Sequence, residues 1–588
     1  MIRFDKNVLS DFGEATTKEW LLTNGLGGYA SSTIIGANTR KYHGLLVAAS
    51  ASPPKRIVML SKLEETLILQ KERFDLSCNQ YPGIIHPEGH NYLVEFRLDP
   101  YPVFIYNCGK AVLEKSVFLI YGENAAVITY KLITSEDKTA ALILRPLVAC
   151  RDYHSVSYEN EFFNKKLEIT SGAVKMKPYE GAPELYLCHN AESFEQKGYW
   201  YRDFEYKKEF DRGLESHEDL YSPGQFVYLL REGEACTLIA SLESYKAQDT
   251  PNYTKFERMR QASFSAQVKD ADEFTKQMLK SADSFIIKRN GALSSAIAGY
   301  PWFSEWGRDA LVSLPGLALS TGRYDIARSI LETYGSYCDS GLIPAYFPET
   351  AKDPEYASVD ASLWYFYAVG KYLEYTGDME FVKKRIFGVL LEIIDFYIKG
   401  TRFGIHMNRD GLINFSERSV CLSWMDAMVE HVPCAPRFGK LVEVNALWYN
   451  ALKVMQGIIV DFDKKLVCEY ENLAKIVKDN FNYLFWNGQK QSLFDWINGD
   501  IADTSVRPNQ IFALSLPHTM LAQKKESQIL ETVKNELLTP YGLRSLSPNE
   551  HGYQGHYYGD ASIRDRAYHN GTTWPWLIGP YISAYLKV

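Results

Sequence analysis

The 588-residue chain changes hydrophobic texture near its middle. Up to about residue 265 the apolar positions alternate or cluster in short β-branched runs such as Ile57-Val-Met-Leu, Val103-Phe-Ile-Tyr, Ala126-Val-Ile-Thr-Tyr-Lys-Leu, Ala141-Leu-Ile-Leu and Phe226-Val-Tyr-Leu-Leu, separated by turn-rich breaks. Many short strands without intervening helices predict an antiparallel β-sandwich or two sheets side by side. After Asp270 the period lengthens to 3.6. Apolar stripes over 274–287, 309–319, 324–337, 358–375, 380–397, 444–460, 466–481, 508–516, 525–538 and 574–586 predict about ten helices. Long loops between alternate helices carry the aromatic and charged clusters, where function usually gathers. The expected division is a β-domain over 1–265, a linker and first helix over 266–290, and a helical domain over 291–588.

Composition narrows the class. Hydrophobic residues make up 46% and mean hydropathy is −0.24, values of a globular protein that does not live in a bilayer. A net charge of −8 without a basic run argues against a nucleic-acid partner, and no apolar run is long enough for a membrane span or follows a basic start as a leader would. The nine cysteines are scattered without a C-x-x-C pair, which suits a reducing, cytoplasmic setting and gives no zinc site. No metal cluster or cofactor motif is visible, so no cofactor is expected. Gly25-Leu-Gly-Gly28 lacks the strand and helix of a nucleotide loop.

Aromatic residues reach 14%, with 40 Tyr, and they mass beside charge in Gly299-Tyr-Pro-Trp-Phe-Ser-Glu-Trp-Gly-Arg-Asp309. A sugar offers an apolar C–H face for stacking and a belt of hydroxyls for an Arg–carboxylate fork, so this juxtaposition suits carbohydrate binding. The same residues would serve equally as core aromatics beside a satisfied ion pair.

Five further segments follow in order: Ser358-Val-Asp-Ala-Ser-Leu-Trp364, Leu422-Ser-Trp-Met-Asp-Ala427, Gly439-Lys-Leu-Val-Glu-Val-Asn-Ala-Leu-Trp-Tyr449, Arg507-Pro-Asn-Gln510 and Arg564-Asp-Arg-Ala-Tyr-His-Asn-Gly-Thr-Thr-Trp-Pro-Trp576. With Asn24-Gly-Leu-Gly-Gly-Tyr-Ala30, Arg40-Lys-Tyr-His-Gly-Leu-Leu46 and Trp200-Tyr-Arg-Asp-Phe-Glu-Tyr206 in the front half, they resemble the bacterial and archaeal glycogen debranching enzymes, the amylo-α-1,6-glucosidases of the six-hairpin glycosidase superfamily. The resemblance implies an N-terminal β-sandwich followed by an (α/α)6 toroid. The helices counted above fall one hairpin short of such a ring, either because the sequence is shortened at its C-terminus or because its ending deviates.

The implied activity is inverting hydrolysis of α-1,6-linked glucose at branch points of glycogen or a related α-glucan. Its chemistry needs two carboxyls roughly 6.5–9.5 Å apart, one protonating the leaving oxygen and one activating water. By the family pattern the general acid falls on Asp426, and Trp424 and Met425 beside it give the partly apolar setting that a proton donor needs. Glu443 competes for the role but is placed with substrate binding. No residue of this chain matches the family's general base. Arg308 and Asp309 are expected to fork the hydroxyls of the terminal glucose, Trp302 and Trp306 to wall the pocket, and Asp360 and Trp364, at i and i+4, to add an acceptor and a stacking ring. Arg437, Lys440, Gln510, His569 and Trp574 complete the expected substrate-binding set. The run Met428-Val-Glu-His-Val-Pro-Cys-Ala-Pro436 departs from the family's commoner loop, and Phe415-Ser-Glu-Arg-Ser419 replaces a glycine-richer approach, so branch-point contacts are expected to differ. An α-1,4-glucoamylase, a trehalase and a non-catalytic glucan-binding protein are the alternatives.

Overall fold

The computed structural model describes residues 2–50, 54–268, 271–289, 293–349, 353–415 and 420–588. The chain forms two compact units, Met1–Ala292 with Gly299–Ser304, and Leu293–Ala298 with Glu305–Val588. The expected linker over 266–290 therefore lies inside the first unit, and the aromatic motif at 299–309 is divided between the two.

The first unit holds two antiparallel sheets of nine and ten strands. Lys55–Leu69 and Thr139–Asp152 form the long central pair of the larger sheet, with Ala141 opposite Ile68 and Asp152 opposite Ile57. Alternation does the expected work: Ala140, Leu142 and Leu144 turn inward from one strand, and Ala111, Leu113 and Val117 from a strand of the other sheet, into a shared apolar core. Lys55–Leu69 is buried along nearly its whole length, so its polar members need partners there. Glu65 accepts from Lys115 and from the Tyr130 hydroxyl (2.6 Å).

The longest helix in the expected β region escapes the pattern. Thr250–Gln267 is helical, with Pro251 in its first turn, where β texture was expected to run on. Its buried positions, Thr250, Glu257, Gln261 and Phe264, do recur at helical spacing, but three of the four are polar. Glu257 is satisfied by an Arg260 fork (2.8 and 2.9 Å) and by Gln261 (2.9 Å), while Phe256 and Met259 face outward, so hydrophobic periodicity is blind to it.

The second unit is helical. Val442–Ile459 is buried almost all round and packs against Ala361–Thr376 and Lys464–Leu484; an apolar helix without a polar face belongs at the centre of its domain. Lys464–Leu484 instead buries one stripe, Tyr470, Ala474, Val477 and Phe481. Tyr324–Ser336 and Gln523–Glu536 fall where the periodicity predicts. Elsewhere the boundaries are corrected. The 309–319 helix is Gly307–Leu314 followed by a π turn over Pro315–Leu319, because Pro315 brings no N–H to the ladder. The 380–397 helix breaks at another π turn, Val382–Ile386, before Phe387–Lys399. Residues 508–516 make a 3-10 turn and the short helix Phe512–Ser515, and 574–586 becomes helical only at Ile578–Lys587. Ala561–Tyr568, a polar helix capped by Asp560 onto the Ile563 N–H (3.0 Å), has no apolar stripe to announce it. Among the described residues no helix is long and apolar enough to cross a membrane.

Candidate active site

Arg308 stands in the first turn of Gly307–Leu314, and Asp360 immediately precedes Ala361–Thr376. Their side chains meet in a fork: Arg308 Nε donates to Asp360 Oδ2 (2.8 Å) and Nη2 to Oδ1 (2.7 Å). Ser358 donates to Asp360 Oδ1 (2.8 Å) and the Trp364 indole N–H to Oδ2 (3.3 Å), so Asp360 is spent on Arg308 rather than on capping its own helix. Ser358 takes over that task, accepting from the Ala361 N–H at 3.2 Å. Bidentate charge-assisted pairing fixes the direction of the guanidinium. The i, i+4 reading of Asp360 and Trp364 thus brings the two together, but the expected stacking ring does not result. Trp364 is 3% exposed, edge-on to Tyr367 and Phe512, and stands behind Asp360 as part of the core.

Asp309, next along the helix, stays open to solvent, yet its carboxyl is pushed up to about 6. Crowding by protein is the largest cause, and the Asp360 and Asp426 carboxylates add to it against the pull of Arg308. Trp306, half-buried, stacks on Tyr346 (4.8 Å between centroids, 21°). Trp302 belongs to the first unit, where it lies edge-on to Tyr42 (6.3 Å) with the Arg40 guanidinium over its ring (5.2 Å).

Asp426 keeps 42% of its side chain exposed, and its Oδ1 lies 3.5 Å from Nε2 of the buried His569. Its neighbours in sequence turn the other way. Trp424 and Met425 point into the core, so the expected apolar wrapping by these two side chains does not form. Trp424 is instead the hub beneath the site, edge-on to His569 (5.3 Å), Trp574 (5.2 Å) and Trp576 (5.4 Å), with its indole N–H donating to Asn509 (2.7 Å). His569 lies flat on Trp574 (5.2 Å, 9°), whose own N–H is taken by the Tyr568 carbonyl (3.0 Å). Burial lowers the pKa of His569 against the pull of Asp426, so the ring is neutral at neutral pH. Tyr568 is pushed up to about 12, first by burial, then by Tyr557 and by Asp426 and Asp309. The field of Asp426 therefore reaches Arg308, Asp309, Tyr568 and His569, so that three separate stretches of chain, 308–309, 426 and 568–569, come to one place.

Below them lies a buried charge cluster. Arg437 forks Glu443 (2.7 and 2.7 Å) and reaches Asp495 (2.5 and 3.1 Å), all three side chains at most 2% exposed. Burial opposes the charge of Arg437, but the Asp495 and Glu443 carboxylates outweigh it and raise its pKa. Glu443 is moved up by burial, with Asp495 adding and Arg437 opposing, as expected when two acids share one arginine. Asn509 donates to Asp495 (2.8 Å) and so ties the cluster to Trp424. Gln510 is consumed by the Leu493 N–H and the Arg507 carbonyl (3.1 and 3.0 Å), and Lys440 by Asp410. Arg437, Glu443 and Gln510, expected at the substrate, are therefore enclosed with their bonds spent on protein, and no hydroxyl reaches them; Lys440 is half-buried and ion-paired.

Ser358 and Asn509 lay inside motifs already singled out, though without roles, and Trp424 was read as apolar wrapping of Asp426 rather than as a hub; Asp495 had no sequence signal. Ser416 to Ser419 of the divergent approach lie outside the described residues. Among the described residues no group of three or more His, Cys, Asp or Glu could hold a metal ion.

Fold and site together define a large antiparallel β unit followed by a helical unit whose loops gather an open carboxyl, a fixed arginine fork and an aromatic bed. The fold is similar to that of a bacterial glucoamylase solved in complex with acarbose, at a TM-score of 0.54 and 11% identity over 97% of this chain and 86% of that one. Residues 280–588 match the family model described as amylo-alpha-1,6-glucosidase, and residues 18–237 that described as glycogen debranching enzyme N terminal. The chain belongs to the amylo-alpha-1,6-glucosidase family. The glycogen debranching enzyme of Saccharomyces cerevisiae is 23% identical over 407 residues, 53% of this chain; the chain spans about a quarter (26%) of the length of that curated relative.

Proposed function

We propose that the chain hydrolyses α-1,6-linked glucose at branch points of glycogen or a related α-glucan, with its helical unit arranged as an (α/α)6 toroid. Asp426 protonates the glycosidic oxygen as the bond from C1 breaks, and water adds to C1 while giving its proton to a base. That base is assigned to no residue here. Inversion follows from the family's two-carboxyl chemistry. Arg308, held by Asp360, and the open carboxyl of Asp309 take hydroxyls of the terminal glucose, and the Trp306–Tyr346 stack offers an apolar surface. Arg437, Glu443 and Gln510 act as support for the floor.

The observation that carries this reading is the convergence on Asp426: an exposed carboxyl whose field reaches the Arg308–Asp309 pair and Tyr568, with the buried His569 at 3.5 Å. Asp426→Asn keeps the shape and removes the proton donor, so it is expected to lose at least a hundredfold in kcat, the contribution of general acid catalysis, while retaining affinity for the glucan. Release of glucose from phosphorylase-limit dextrin, maltose and trehalose identifies the bond. Fast hydrolysis of maltose with limit dextrin untouched would favour the second reading, an α-1,4-glucosidase, to which the shared glucoamylase fold points.

A further inference from the structure

Beside Asp426 the chain folds into a hairpin, Met428–Val429 paired with Val432–Pro433, whose two-residue turn is Glu430-His431. Both turn residues have positive φ (50° and 65°). A two-residue hairpin turn of this kind favours Asn-Gly, and Glu430 at its first position is there against backbone preference. The hairpin is fastened at its base: the Cys434 N–H donates to the Ala427 carbonyl (2.9 Å), and Asn570, next to His569, donates to the Cys434 carbonyl (2.9 Å).

A cleft of about 520 Å³ opens along this hairpin, bounded by Glu430, His551, Gln554, Arg566 and Asn570. It has no aromatic wall. Glu430, His551, Gln554 and Arg566 are all exposed, and among the described residues no ion pair or hydrogen bond engages their side chains. A guanidinium and a carboxylate that share a cleft without pairing leave donors and acceptors of both kinds open. A neutral, hydroxyl-rich chain uses both, whereas an anion would be repelled by Glu430 and a cation by Arg566.

The geometry points to this hairpin and cleft as the site that grips the leaving α-glucan chain, on the aglycone side of Asp426. The assignment rests on Asp426 being the proton donor. A general acid must reach the glycosidic oxygen, so the chain departing from that oxygen passes the segment carrying the acid. Groups on a hairpin that begins two residues beyond Asp426 therefore meet the leaving chain rather than the glucose.

The test uses the Asp426→Asn protein, so that ligand is not consumed, and measures affinity for a branched limit dextrin and for a glucose-mimicking iminosugar. Replacing Glu430-His431 by Asn-Gly keeps the turn and removes its side-chain groups; the melting temperature should not fall. This variant and Arg566→Ala are each expected to weaken dextrin binding tenfold or more while iminosugar affinity stays within twofold. Unchanged dextrin affinity, or equal loss for both ligands, overturns the assignment. If Asp426→Asn retains turnover, the proton-donor reading fails instead, and that outcome is separate from the binding result.

Discussion

Removing the guanidinium from the buried cluster, as in Arg437→Leu, leaves Glu443 and Asp495 facing each other without compensation. The replaced group makes bonds of 2.7, 2.7, 2.5 and 3.1 Å to side chains at most 2% exposed, so solvent cannot take its place. Breaking a buried pair from one side costs about 3–5 kcal/mol, far beyond the ~1 kcal/mol of a surface bridge. At about 2 °C per kcal/mol, the scale for large domains, the melting temperature of the helical unit should fall roughly 6–10 °C. The loss should depend on pH. Orphaned carboxyls in a low-dielectric core have folded pKa values above their unfolded ones, so the folded state of the variant binds protons more readily and recovers as pH falls. Calorimetry of wild type and variant at pH 8 and pH 5 measures both effects, and the deficit should be clearly smaller at pH 5. A loss under about 1 kcal/mol, or a deficit identical at the two pH values, would refute the view that this cluster is a dry, charge-balanced floor.

Asp309, pushed up to about 6, should be ionised above that pH and protonated below it, so iminosugar affinity relative to Asp309→Asn should fall as pH drops through about 6; a constant ratio would remove Asp309 from the pocket. His569, buried with a lowered pKa, lies 3.5 Å from Asp426 and can lend its Nε2–H to that carboxylate once the proton has left. In His569→Phe kcat should drop and the basic limb of its pH profile move to higher pH, and His569→Gln, which retains a donor, should restore part of both. Unchanged limbs in both variants would leave His569 a packing residue only. Because its folded pKa is depressed, His569 also makes the wild type lose stability as pH falls below about 6.5, and the Phe variant should lose less.

Much of this was legible in the chain. Period two against period 3.6 separated sheets from helices, since each records which side of a local element is dry. Arg308 and Asp309 stood out as charge massed beside aromatic residues, whereas Asp360 and Asp426 were singled out through the family resemblance of their motifs. Thr250–Gln267 stayed hidden because its dry face is made of Glu257 and Gln261, polar residues that burial tolerates only once Arg260 has folded against them. Trp364 and Glu443 were placed at the substrate because sequence gives position on a helix but not how much of the side chain the rest of the fold covers. The sequence by itself determined the elements, their order and which residue types could do the chemistry, since those depend on neighbours a few positions away. Only the tertiary structure decided that Asp426 faces solvent while Trp424 and Met425 do not, that Arg308 pairs with Asp360, and that Arg437, Glu443 and Asp495 neutralise one another. Burial and pairing are set by segments tens to hundreds of residues apart, and no local pattern encodes those contacts.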